Sequence, residues 1–203
     1  VVEAGVEFVS ISPLRDDTRK FLNAEWLAIR PNTDTAMMLA LSHTLITEGL
    51  HDSEFLNRYC FGFDRVLPYL LGEQDNQPKD AEWAAEITGI EATTIQELAR
   101  QMADRRTMLS ATWSLQRGDH GEQPFWALIL LACVLGQIGL PGGGFTFGYG
   151  STGGMGNAPP LFNPPSFSSG RNPINYAIPA PRLVDALLNP GKVIDYNGKK
   201  ITY

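Results

Sequence analysis

Between Asp34 and Glu48 the sequence carries no Lys, Arg, Asp or Glu. The cap residues Asn32, Thr33 and Asp34 precede this stretch and Gly49 follows it, which predicts a helix running to Gly49. Its apolar residues Met37, Met38, Leu41, Leu45 and Ile46 span too wide an arc for a helix with one wet face. Such a helix has to be covered on most sides, so the chain must fold in layers. A second apolar helix is predicted from 125 to about 138, with Pro124 in its first turn and Gly139-Leu140-Pro141-Gly142-Gly143-Gly144 breaking it.

Strands are predicted at 6–11, 25–29 and 107–112, each rich in β-formers and stopped by a polar or proline-containing turn. From 51 to 106 the pattern is helical and amphipathic. Asp52 or Ser53 opens one helix through Tyr59, Asp64 another through Leu71, and Ala92-Thr93-Thr94 a third through Asp104, with a polar loop at 72–79. Strands alternating with helices predict an α/β fold, a three-layer domain with a mainly parallel sheet. Beyond Phe145, Gly, Pro, Ser and Asn dominate as far as Pro181, which predicts a long irregular crossing segment. A short helix at 181–188 and a hairpin at 193–203, turned by Asn197-Gly198, follow it. The division expected is therefore 1–145 and 146–203. The chain has no initiator Met and opens on a helix-end-like run closed by Gly5, so it reads as a piece of a longer protein.

Sixteen Lys and Arg against 22 Asp and Glu give a net charge of -6, which provides no basic field for nucleic acid or an anionic membrane. The most apolar run, 125–135, is about half the roughly 20 residues of a membrane-spanning helix, so no membrane insertion is expected. Cys60 and Cys133 stand among apolar residues with no second cysteine or histidine at ligand spacing, and read as small core residues.

In parallel sheets ligands bind beyond the carboxyl ends of the strands, which here means 12–17, 30–34 and 113–116. Asn32, Thr33 and Asp34 can be helix caps. Alternatively, the Asp34 carboxylate can accept two N–H bonds from a guanine edge or one from a ribose hydroxyl. Trp113 and Arg117 can line a pocket for a polar or oxide-bearing ligand. Equally, Trp113 can cover the sheet end while Arg117 pairs with Asp119 or Glu122. His120 has no nucleophile or second ligand spaced for it and reads as structural. The glycines at 139–144 follow a helix, so they match neither a dinucleotide fingerprint nor a phosphate loop, and a nicotinamide dehydrogenase is not indicated. The charges at 100–106 read as a solvated face.

Ile29-Arg30-Pro31-Asn32-Thr33-Asp34, Glu48-Gly49-Leu50-His51-Asp52, Pro78-Lys79-Asp80-Ala81-Glu82-Trp83-Ala84-Ala85, Trp113-Ser114-Leu115-Gln116-Arg117, His120-Gly121-Glu122-Gln123-Pro124 and Leu135-Gly136-Gln137-Ile138-Gly139-Leu140-Pro141-Gly142-Gly143-Gly144-Phe145 occur in this order. Together they resemble the molybdopterin oxidoreductases of the dimethyl sulfoxide reductase family, over nearly the whole length. The branch they resemble most reduces trimethylamine N-oxide, dimethyl sulfoxide and biotin sulfoxide. The resemblance implies a larger enzyme that uses a bis(molybdopterin guanine dinucleotide) molybdenum cofactor for two-electron oxygen-atom transfer from a small S-oxide or N-oxide. It implies, too, an electron donor such as a cytochrome, a role in anaerobic respiration, and a periplasmic parent, or a cytoplasmic one if it is like biotin sulfoxide reductase.

By position, Ser12 and Pro13 match the family loop that holds one guanosine, where an Asp often stands in place of Ser12. Asn32, Thr33 and Asp34 match the second guanosine contact, and Trp113 and Arg117 match positions at the inner end of the cofactor and the substrate funnel. No residue here matches the metal ligand, which in this branch is a serine oxygen. The chain by itself is expected to bind no molybdenum and to lack reductase activity. The rival reading is a structural domain with no activity or ligand of its own, packed against the rest of the parent chain.

Overall fold

The computed structural model describes residues 2–18, 20–147, 170 and 176–203, in two compact units that divide between 159 and 160. Most of the crossing segment expected after 145 lies outside the described residues.

In the first unit β1 (Val9–Ile11) runs parallel to β2 (Glu25–Leu27), with Val9 opposite Glu25 and Ile11 opposite Leu27. Both are shorter than the runs at 6–11 and 25–29. After Leu27 the backbone leaves the ladder, because the Arg30 amide donates to the Thr88 carbonyl at 2.9 Å instead of to a strand. The second parallel pair is β3 (Met108–Ala111) with β4 (Gly144–Phe147), Met108 opposite Gly144. Short parallel pairs among helices bear out the α/β reading, although the two pairs are separate ladders among the described residues. β4 was not expected, since its Gly-Phe-Thr-Phe sequence adjoins a glycine run that reads as a break.

Helix α1 (Asp34–Thr47) is buried from Ala36 to Ser42, as its lack of charge predicts. Ser42 and Thr44 donate their hydroxyls to the Met38 and Ala40 carbonyls, both at 2.9 Å, so no buried hydroxyl is left unpaired there. Helix α1 ends at Gly49, with the Leu50 amide donating back to Leu45 O at 2.8 Å. Around α1 pack α4 (Ala81–Thr88), α5 (Ala92–Asp104) and α6 (Gln123–Leu135). The fully buried Ala40, Ala84, Ala99 and Ala132 come one from each of these four helices, which lets the backbones approach closely. Met37, Leu41, Leu45, Ile95, Leu131 and Val134 fill the remaining space.

Helix α2 (Ser53–Tyr59) is capped by Asp52, which accepts the Phe55 amide at 2.8 Å, and α3 (Phe63–Leu70) follows Gly62. The sequence reading had no element for α4, which Asp80 caps by accepting the Trp83 amide at 2.8 Å. The polar loop before it closes on Lys79, which is almost fully buried. Its ammonium donates to Asp75 at 2.6 Å and to the Gln77 carbonyl, and lies 4.4 Å from the Tyr69 ring centre. Arg100, expected on a solvated face, is held in a two-pronged pair by Glu48 at 2.7 and 2.8 Å. At the exit of α6 the Gln137 amide bridges to the start of β3, accepting from the Thr107 amide at 2.7 Å and donating to the Arg105 carbonyl at 2.8 Å.

The two cysteines are not core residues. Both are half-buried and line one cleft beside the end of α6. The cause is a backbone tie: the Asp52 amide donates to Val134 O at 3.0 Å, which draws α2 alongside the end of α6.

The second unit carries α7 (Leu183–Leu188) and the expected hairpin of β5 (Val193–Tyr196) and β6 (Lys199–Thr202), with Asn197 and Gly198 both at positive φ in its turn. Asp185 ties these elements together. Its carboxylate accepts from Lys192 at 3.1 Å, from the Asn189 amide at 3.0 Å and from the Tyr203 hydroxyl at 2.9 Å.

Leu45→Ala should lower unfolding free energy by about 2–5 kcal/mol, because the four-helix contact around α1 cannot collapse onto the cavity. Leu14→Ala, at a side chain that is 64% exposed, should stay within about 0.5 kcal/mol of the parent. Urea denaturation followed by circular dichroism checks both.

Candidate functional site

The three strand ends named from the sequence lie on the first unit, and two of them touch. Asn32 sits just after β2 in the left-handed region at φ 63, where a short amide side chain is tolerated. Its Oδ1 lies 3.2 Å from where a side chain on Gly118 would begin, so the turn before α1 and the turn after β3 share one edge. Gly118 ends the single turn of 3-10 helix Trp113–Arg117. Gly121 then allows the loop to fold back, since a Cβ there would stand 2.2 Å from the Gln116 carbonyl oxygen.

The turn before α1 is anchored away from the site. Arg30 donates to the carbonyls of Glu86 and Ile87 at the end of α4, at 2.5 and 3.2 Å, and Thr33 donates its hydroxyl to Arg30 O at 2.7 Å. Thr33 occupies the cap position of α1, yet neither it nor its neighbours cap the helix with a side chain. Asp34 is therefore the first helical residue and not the cap. Its carboxyl is half-buried, and burial pushes its pKa above the usual carboxylate range, opposed by its own backbone amide. Among the described residues no other group bonds to it. A carboxylate held this way is an acceptor with capacity to spare.

Arg117 is exposed and makes no hydrogen bond or ion pair among the described residues, so it does not pair with Asp119 or Glu122. Those two acids flank His120 instead, at 3.9 and 3.8 Å. Trp113 is 46% exposed on the same turn. The turn thus presents a broad aromatic face and five guanidinium donors to the outside.

At the end of β1, Ser12 is buried and fully engaged, while Pro13 beside it is exposed. The Ser12 hydroxyl donates to the Asp17 carboxylate and accepts the Leu14 amide at 3.2 Å, and the Ser12 carbonyl accepts the Trp26 indole N–H at 2.9 Å. The Arg15 guanidinium lies over the Trp26 ring, 5.7 Å from its centre. Asp17 stood within the strand end 12–17 but was assigned no role by sequence reasoning, and Trp26 was read only as part of a strand. The signal for Asp17 was present, as a carboxylate five residues past a strand-end serine in a proline turn.

Comparison with known proteins gives concordant results. A family model described as molybdopterin oxidoreductase matches residues 1–183. A biotin sulfoxide reductase of Cereibacter sphaeroides is 50% identical over 203 residues, covering 100% of this chain and 27% of that protein. Trimethylamine-N-oxide reductase 1 of Escherichia coli K12 is 47% identical, covering 98% of this chain and 25% of that protein. A dimethyl sulfoxide/trimethylamine N-oxide reductase of Rhodobacter capsulatus is 45% identical over 97% of this chain and 25% of its own length. The chain spans about a quarter of the length of these curated relatives. Among solved structures, acetylene hydratase from Pelobacter acetylenicus superposes with a TM-score of 0.57 at 25% identity, over 68% of this chain and 18% of that one.

The Asp34 carboxyl has a folded pKa raised above its unfolded one, so its contribution to stability is fully present below about pH 3.9 and is lost as pH rises through the folded value. Asp34→Asn should therefore match or exceed the parent in stability at pH 7 and lose that advantage near pH 3. Denaturation midpoints at the two pH values test this. A variant less stable by about 1 kcal/mol at pH 7 would make Asp34 a helix-stabilising residue.

Proposed function

This chain belongs to the molybdopterin oxidoreductase family, and we propose that it serves a longer S-oxide or N-oxide reductase as part of the surface that holds molybdopterin guanine dinucleotide. The observation that carries the reading is the edge where Asn32 meets Gly118. It combines a half-buried carboxylate at Asp34 and an exposed guanidinium at Arg117, neither with a side-chain partner among the described residues and each within two residues of that contact. The names of the reductases that are 45–50% identical supply the substrate class.

Asn32, Thr33 and Asp34 are positioned to take one guanosine. A guanine edge offers two parallel N–H donors, and the Asp34 carboxylate is an acceptor-only group with two oxygens and no competing bond from another residue. The second guanosine falls to the loop of Ser12 and Pro13. The Ser12 hydroxyl proton is committed to Asp17, so the ribose diol is met by the free oxygen of Asp17, and a serine can stand at Ser12 where relatives of the family often have Asp. Trp113 and Arg117 lie at the inner end. Arg117 donates N–H bonds to the oxide oxygen, which gains negative charge as its bond to sulfur or nitrogen weakens. Bound molybdenum supplies the two-electron transfer of the oxygen atom. An electron donor such as a cytochrome, a role in anaerobic respiration, and a periplasmic site, or a cytoplasmic one for a biotin sulfoxide reductase-like parent, complete the proposal.

The second reading, a packing domain without a ligand of its own, is favoured by the engagement of the Ser12 hydroxyl with Asp17 and the Leu14 amide. In the full-length parent, Asp34→Ala should lower retention of the cofactor by the worth of a charge-assisted bond, about 1.5–3 kcal/mol, seen as reduced molybdenum content. Arg117→Ala should keep full metal loading and lose turnover of the oxide. Unchanged molybdenum in the first variant and unchanged steady-state kinetics in the second would leave the packing domain as the better description.

A further inference from the structure

Away from that edge, the chain's two cysteines line one cleft. Cys60 follows α2, Cys133 lies in the last turn of α6, and together they line a cleft of about 480 Å³ with Phe55, Tyr59, Ile138 and Leu140. Seventy-odd residues of sequence separate them, so their nearness is a product of the fold. Two features hold it in place. The Asp52 amide bonds to Val134 O at 3.0 Å, and Gly136, at φ 67, leaves room for Asp52, whose Cβ lies 2.3 Å from where a Gly136 side chain would start. The start of α2 is thus fixed against the end of α6. Both sulfurs are half-buried, and the cleft opens beside Tyr59, which is 65% exposed.

We propose that Cys60 and Cys133 are a redox modification site, a dithiol that closes to a disulfide by exchange with a small-molecule disulfide such as oxidised glutathione entering the cleft. The Cys60 thiol loses its proton, and its thiolate attacks one glutathione sulfur, forming a mixed disulfide and releasing one glutathione thiolate. Cys133 then loses its proton and attacks the Cys60 sulfur, which forms the Cys60–Cys133 bond and releases the second glutathione thiolate. Both released thiolates take up a proton. The cysteine pair gives up two electrons and two protons, and oxidised glutathione becomes two molecules of reduced glutathione.

The order of the two steps follows from the surroundings. Cys60 follows α2 beside the exposed Tyr59, whereas Cys133 sits within α6, where burial, and after it Cys60, push its thiol up to about 12, so the incoming disulfide meets Cys60 first. Once Cys60 is in a mixed disulfide its charge is gone, and the part of the Cys133 shift that came from it disappears. The product ties the end of α2 to α6 and closes one wall of the cleft.

The test equilibrates the reduced chain with glutathione redox buffers at pH 8, folded and in concentrated urea, then alkylates free thiols and measures intact and peptide masses. The expected result is loss of two hydrogens from the intact mass and a linked peptide pair containing Cys60 and Cys133. The equilibrium constant for closure should be at least about tenfold larger in the folded chain than in the unfolded one. Folded Cys133→Ser should stop at a stable glutathione adduct on Cys60, and Cys60→Ser should react at least about tenfold more slowly. Closure no more favourable in the folded chain than in urea, or a folded chain carrying glutathione on both cysteines, would overturn the proposal. The wild-type comparison stands without either variant.

Discussion

Everything in the first unit depends on burying α1 along nearly its whole length. A helix has polar groups on every turn, and a layer that covers it on all sides must dispose of them. Here Ser42 and Thr44 return their hydroxyls to carbonyls one turn back, so their polarity ends inside the helix. The neighbouring helices meet α1 through alanines, which cost no side-chain entropy on burial. The acidic residues of α1 itself and of its cap stand at its two ends. Glu48 goes to Arg100 at one end. At the other, Asp34 is left half-buried with its own amide, next to a turn braced by Arg30.

That placement gives the candidate edge its character. A carboxyl whose charged form is disfavoured by burial is kept at the helix start, at a cost which the packing of α1 offsets. The neighbouring turn contributes an aromatic face and a guanidinium that no acid neutralises among the described residues. The scaffold leaves the reaction open, since an acetylene hydratase shares the fold at a TM-score of 0.57 while the relatives at 45–50% identity are named reductases.

Legibility in the sequence followed the range of the forces involved. Helices α1 and α6 and the 193–203 hairpin were readable because their signals are local: missing charge, a proline in the first turn, and an Asn-Gly pair at positive φ. β4 was not readable, because Gly144 and Phe145 become a strand by lying opposite Met108 and Leu109, and pairing across such a distance leaves no mark in either segment. The missing α4 was an oversight of a signal that exists, Asp80 as cap with Glu82 in the first turn. The strand-end residues were legible as a set. Their bonding was not, since the freedom of Arg117 and the engagement of Ser12 with Asp17 depend on loop geometry that spacing does not encode. The nearness of the cysteines was hidden for the same reason.

The crossover from β3 through α6 to β4 joins two strands that are distant in the chain. Met108 and Gly144 stand at opposite ends of a loop whose closure has a large entropic cost, and four parallel residue pairs alone repay little of it. Packing of α6 on α1 holds the two segments side by side. Gln137 takes the Thr107 amide and the Arg105 carbonyl just outside the ladder. The side-chain amide at the helix exit thus fastens the end of α6 to the start of β3 and fixes the offset at which β4 meets it.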